Sequence, residues 1–250
     1  YYQASVFIFK AVETRVRTKY CPIKMNSFAI FFAYAILRRS AVDAFLPSDL
    51  DGLVGWYPAE SYDVDTKRWH DVSGSMNHAV IKGGEPVIGA QTTTEHGAHV
   101  RKFLSGGTQD TIEWPKAILP DQYTLFHVAR HSGNKKYRIF DGKNANWFSG
   151  FYNKKDRCAF HKKWTSKSKG ETSTGLWRYH TDQNYLLREN GEELGTAGSG
   201  TSDCLTINCG FKKKQASQWE VSEVIVFERH LTTAEIVQVE DYLKIAHCTF

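Results

Sequence analysis

Near the end of the chain, positions 219 to 227 read WEVSEVIVF, with Val221, Val224, Ile225, Val226 and Phe227 apolar within nine residues. β-Branched and aromatic residues at this density predict a strand. Apolar side chains fall on both of its faces, so it is expected in the middle of a sheet rather than at an edge. The period then changes. Ile236, Val239 and Leu243, with Tyr242 beside them, recur at helical spacing, and Thr232 with Glu235 three positions on forms a capping box. A short helix with one apolar side is therefore predicted to follow the strand and lie across its sheet.

Upstream the period is two. Over 123–130, Tyr123, Leu125, His127 and Ala129 share one face, and Thr124, Phe126, Val128 and Arg130 the other. Short runs of the same character recur at 53–57, 69–71, 79–82, 98–103, 111–113, 138–142, 147–152, 158–161, 176–180 and 204–208. The segments 185–189 and 192–194 flank Asn190-Gly191, a pair suited to the positive φ angles of a type I′ hairpin turn. Many short strands, one late helix and no strand–helix alternation predict an all-β sandwich.

Two stretches carry a family resemblance. The pattern E-V-I-V-F-E-R-x-L-T-x-x-E-I-x-x-V-E-x-Y-L over 223–243, and W-x-D-x-S-G-x-x-N-x-A over 69–79, resemble the laminin-G-like (LamG) branch of the concanavalin A-like lectin/glucanase superfamily. The resemblance spans about Leu46 to Leu243. It implies a concanavalin A-like jelly-roll β-sandwich with one short C-terminal helix. It also implies a choice of functions, because the superfamily hosts lectins, adhesion modules, glycosidases and lyases.

Charge divides the chain. Residues 1–45 carry seven Lys or Arg and two acids, the whole formal charge of +5, which leaves the remainder neutral. A general affinity for nucleic acid is not expected of a neutral domain. The same segment holds ten consecutive apolar residues from Phe28 to Leu37, too few for a span of about 20. They suit the apolar stretch of a signal peptide, with small residues around Val42 and Ala44 for cleavage. Residues 1–45 are thus expected to be a leader and tail, 46–250 the domain, and the protein secreted or at a cell surface. Cys158, Cys204, Cys209 and Cys248 allow two disulfides in three connectivities. No Asn-x-Ser/Thr sequon occurs to support secretion.

Candidate chemistry is sparse. Glu220 and Glu223 are three apart, so strict alternation sends them to opposite faces and they cannot be a retaining hydrolase's pair, about 5 Å apart. The same alternation groups Glu223 with Val221, Ile225 and Phe227, as a buried acid bonded to backbone amides. Tyr152 and His161 offer an acid and a base for a lyase, but the arginine- and glutamine-bearing strands of lyases in the superfamily are not found. A lysine-rich region, Lys154 to Lys169, is interleaved with Trp147, Tyr152 and Trp164, and Lys212 to Lys214 form a second basic run. Rings that stack on sugars, beside cations, suit a glycan, an anionic one included. Asn144, Asn146, Trp147, His161, Trp164, Lys162 and Lys163 are the candidate ligand-binding residues. Asp141 and Asn144, hard oxygen donors in one turn, are candidate Ca²⁺ ligands, and Asp71 with Asn77 form a similar group. The expected function is non-catalytic recognition of a glycan or an extracellular protein by loops of the sandwich. A polysaccharide-cleaving enzyme on the same fold, and a structural module of a surface assembly, are the alternatives.

Overall fold

Two antiparallel sheets face each other. The first runs, in spatial order, β15 (Glu192–Gly195), β14 (Leu186–Glu189), β13 (Arg178–Gln183), β8 (Thr124–His131), β17 (Trp219–Phe227), β6 (His99–Gly106) and β5 (Val87–Thr93), with β1 (Leu53–Pro58) also paired to β17. The second runs β12 (Lys163–Lys167), β11 (Lys155–His161), β10 (Trp147–Tyr152), β9 (Phe140–Gly142), β16 (Leu205–Ile207), β7 (Thr111–Glu113), β4 (Ala79–Gly83), β3 (Arg68–Trp69) and β2 (Tyr62–Asp63). One α-helix, α1 (Thr233–His247), is present among the described residues. The computed structural model describes residues 45–93, 99–167, 172–196, 198 and 204–247. The chain divides into two units, Tyr1–Ala44 and Phe45–Phe250, and the described residues belong to the second. The expected leader lies outside them apart from Phe45, as do Lys169 and Cys248.

β17 is central, as its double-sided apolar pattern predicts. It pairs with β8 on one edge and with β6 and then β1 on the other. Val221, Val224 and Val226 point into the core between the sheets. Ile225 and Phe227 point outward, into a second apolar cluster beneath α1 with Ile236, Val239, Tyr242 and Leu243. The capping box forms in both directions: Thr232 N donates to Glu235 Oε2 at 2.8 Å, and Glu235 N to Thr232 Oγ1 at 3.4 Å. The alternation read along 123–130 also holds, with Tyr123, Leu125 and Ala129 in the inter-sheet core and Phe126 and Val128 beneath the helix. Asn190 and Gly191 take φ of 47° and 84°, the pair a type I′ turn requires.

A bulge between Val221 and Glu223 shifts the register of β17. It corrects the assignment of faces made by strict alternation. Val221 points inward, whereas Glu223 joins Ile225 and Phe227 on the helix side. Glu220 also lies outward, bonded to Arg130 at 2.5 Å, and Arg130 covers the Trp177 ring of the helix-side cluster. The two acids therefore share a face. Neither is available as half of a hydrolytic pair, because Glu223 is bonded to Trp56, Tyr242 and His247. Its partners are thus side chains, not the backbone amides expected.

Cysteines and turns behave simply. No disulfide joins Cys158, Cys204 or Cys209 to another described residue. Asp71 accepts from the backbone N–H groups of Trp56, Ser73 and Asn77 at 2.8–3.0 Å, so this carboxylate closes its turn.

Three of the buried histidines, His127, His131 and His180, make a pH prediction. Burial lowers His127 from an ordinary value near 6.5 to about 3 and His131 to about 4, and holds His180 well below 6.5. The unfolded chain takes up these protons near pH 6.5 and the folded chain does not, so their stabilisation is complete above that pH and lost as pH falls. Burial acts the other way on two acids, raising Glu189 to about 7 and Asp141 to about 6. They restore stability as pH falls, but only until their ordinary range near 4 is reached. The melting midpoint is therefore expected to change little from pH 7 to 5 and to drop steeply below about 4. Calorimetry across that range checks it; an equally steep loss between pH 6.5 and 5 would contradict the opposing signs.

Candidate ligand-binding face

β10, β11 and β12 form two consecutive hairpins at one end of the second sheet. The first turn is Asn153-Lys154, with φ of 47° and 66°, and the second hairpin turns at Lys162, with φ of 57°. Lysines of the basic region thus occupy exposed hairpin turns. Cross-strand register decides which rings face water: Trp147 opposes His161, Phe148 opposes Phe160, and Phe160 opposes Trp164.

Trp147 and His161 face inward. Trp147 is 2% exposed and His161 0%. They stack at 5.7 Å within a buried polar network. Trp147 Nε1 donates to Tyr123 Oη at 3.0 Å, Tyr123 Oη donates to Asp182 at 2.9 Å, and Asp182 meets His161 Nε2 at 3.1 Å. Burial first, then the Asp182 charge, holds the Tyr123 phenol well above its ordinary value, so it remains a donor. Two of the residues expected to touch a ligand are therefore internal, and hold the hairpins against the first sheet.

Their neighbours face outward. Phe148, Tyr152, Phe160 and Trp164 belong to neither apolar cluster of the core. Phe148 is the covered floor, while Tyr152, Phe160 and Trp164 are partly exposed. Tyr152 stacks on Phe148 at 4.8 Å and 18°, and Phe160 lies near-parallel to Phe148 at 6.1 Å and 13°. Trp164 stands across all three, edge-on at 5.4–5.8 Å. Arg138 closes one side, with its guanidinium 4.5 Å from the centre of the Phe148 ring. Exposed Lys162 and Lys163 lie beside the rings in the β11–β12 hairpin. These partly exposed rings form one contiguous patch. Of the expected residues, Trp164 sits on this platform and Lys162 is in the adjoining hairpin turn, whereas Lys163 opposes His161 and so shares the other face of β12. Phe148, Tyr152 and Phe160 complete it, and of these only Tyr152 drew notice in the sequence.

The β9–β10 turn borders the platform. Asn146 Oδ1 accepts from Arg138 at 2.7 Å, and Asp141 Oδ1 accepts from the same guanidinium at 2.9 Å. Asp141 is 3% exposed and Gly210 covers it: a Cβ there would lie 2.4 Å from the carboxyl carbon. The carboxylate expected to bind Ca²⁺ is thus committed to Arg138. Asn144 is exposed. Among the described residues no group of three or more His, Cys, Asp or Glu converges.

Beyond Asn144 a cleft of about 780 Å³ opens on the same side of the sheet, over β7 and the end of β16. It is lined by Asn144, Tyr137 and Phe211, and by Lys135, Lys143, Lys213 and Lys214. No helix among the described residues is long and apolar enough to cross a membrane.

No family model and no curated protein matches the chain. Solved structures do. Domain 4 of AbnA, a GH43 extracellular arabinanase from Geobacillus stearothermophilus solved in complex with arabinotriose, is similar at a TM-score of 0.53 and 14% identity, covering 75% of this chain and 98% of that domain. The binding domain of Paraclostridial Mosquitocidal Protein 1 is similar at a TM-score of 0.50 and 14% identity, covering 77% of this chain and 52% of that one. At this identity the likeness establishes the two-sheet sandwich and its topology class.

Proposed function

We propose that the chain is a non-catalytic glycan-binding module of the LamG-like kind, secreted or at a cell surface, whose ligand lies on the platform of Phe148, Tyr152, Phe160 and Trp164. The observation that carries this is a set of partly exposed, mutually packed rings on the outer face of a sheet, flanked by hydrogen-bonding and cationic side chains. Sugars present an apolar C–H face to an aromatic ring and hydroxyls around it, and this site offers both kinds of partner. A sandwich of similar topology was solved with arabinotriose, which shows that the scaffold carries sugar binding elsewhere. The engagement of Glu220 with Arg130, and of Glu223 with three side chains, favours binding over hydrolysis.

A glycan array probed with the chain, followed by assay of the bound ligands for new reducing or unsaturated ends, tests the proposal. The expected result is selective binding without cleavage. Release of ends would establish the polysaccharide-cleaving alternative, and binding to no glycan would favour a module that recognises only protein.

A further inference from the structure

The cleft beside the platform carries a local excess of positive charge. Four lysines line it, Lys135, Lys143, Lys213 and Lys214, against one lining carboxylate, Glu113, which Lys143 holds at 2.5 Å. The domain as a whole is neutral, so this excess is local. Two rings with exposed faces, Tyr137 at 37% and Phe211 at 47%, stand among the ammonium groups.

The walls are fixed before any ligand arrives. Gln218 N donates to Lys135 O at 2.9 Å, Arg138 N to Gln215 O at 3.0 Å, and Tyr137 N to Ser217 Oγ at 2.7 Å, which ties the loop after β8 to the loop after β16. Asn208, at φ 61°, spans the base of the second loop, donating to Gly107 O and Ser217 O and accepting from Ser217 N, all within 2.8–2.9 Å. A rigid basic cleft loses less conformational freedom on binding than a lysine tail does.

Position supplies the ligand class. β7, β16, β9, β10, β11 and β12 are consecutive neighbours in one sheet. At about 4.8 Å per strand, the cleft at β16 lies roughly 14 Å from the platform at β11, within reach of a short oligosaccharide. We infer that the cleft is a basic subsite, which takes carboxylate or sulfate ester groups of the same glycan whose neutral face stacks on the platform. The inference rests on the glycan-binding proposal and narrows its ligand to an anionic saccharide, a uronate or a sulfated sugar. The lysines meet the charges, and the Tyr137 and Phe211 faces pack the sugar rings that bear them.

The test is calorimetric titration of the full chain with a heparin hexasaccharide, an oligogalacturonate of the same length and neutral cellohexaose, at low and high salt. Either acidic ligand is expected to bind more tightly than cellohexaose, by an advantage that shrinks with salt. The double variant Lys213→Gln, Lys214→Gln is expected to lose on the order of tenfold affinity for that acidic ligand, and much less for a neutral one. If the double variant binds it as the parent does, while Trp164→Ala weakens binding, the basic subsite is wrong and the platform stands. If Trp164→Ala has no effect, the platform itself is wrong. Equal competition by polyglutamate would overturn the assignment to saccharides.

Discussion

Replacing Glu223 by alanine is expected to lower the free energy of unfolding by about 3–5 kcal/mol. The carboxylate is 2% exposed and accepts from Trp56 Nε1 at 2.5 Å and Tyr242 Oη at 2.9 Å, with His247 Nε2 at 2.6 Å. Three elements meet on it: β1 through Trp56, β17 through Glu223 itself, and α1 through Tyr242 and His247. Removing it takes a shared acceptor from Trp56, Tyr242 and His247 in a largely buried setting. Burial works to raise its pKa, but the His247 bond and charge, with the Trp56 and Tyr242 bonds, outweigh burial and hold it below the usual 4.5. Its stabilisation is accordingly present above pH 4.5 and lost as pH falls further. Urea unfolding at neutral pH reads the effect, with Glu223→Gln expected to lose less because an amide still accepts. A loss under about 1 kcal/mol for the alanine variant would mean that apolar packing alone docks α1.

The second large effect concerns binding. Trp164→Ala is expected to weaken the glycan selected on the array by about thirtyfold or more, the measure of an aromatic anchor worth about 2 kcal/mol. Trp164 contacts Phe148, Tyr152 and Phe160, so its removal opens the platform from one side. Both apolar clusters of the core lie elsewhere, so the variant keeps the fold, which circular dichroism checks. Trp164→Phe should recover much of the affinity by restoring a ring. Loss of affinity together with the fold would leave the ring's role unproved, so the two variants are read as a pair.

The sandwich was legible because its signals are local. The double-sided apolar run of β17, the capping box of α1 and the Asn190-Gly191 turn each follow from a few neighbouring residues, and each forms as read. Strands with little apolar signal escaped. β5 runs along the sheet edge with Val87, Ile88, Ala90, Gln91 and Thr92 exposed, and β12 is polar around Trp164. The two-sheet sandwich was thus visible, while its borders were not.

The candidate site was legible by region but not by face. Alternation along β10 says that Trp147 and Phe148 point opposite ways and does not say which is outside. The larger, polar-tipped Trp147 looked like the ligand-facing ring, yet Tyr123 and Asp182, distant in sequence, satisfy the network that keeps it inside. The signal that was present is the Asn153-Lys154 turn. Read as a two-residue hairpin it pairs Tyr152 with Lys155 and, beyond the bulge near Gly150, Phe148 with Phe160. Bulges defeat period-two reasoning in the same way in β17, where one extra residue turns Val221 inward and leaves Glu220 on the same face as Glu223.

The most direct check on the glycan platform is the indole N–H spectrum of the seven tryptophans during titration with the array ligand. The Trp164 resonance is expected to shift with the ligand, while those of Trp69, Trp114, Trp147 and Trp219, each 2% exposed or less, stay in place. A saturating ligand that leaves Trp164 unmoved and displaces a different indole would put the site on another surface and contradict the account.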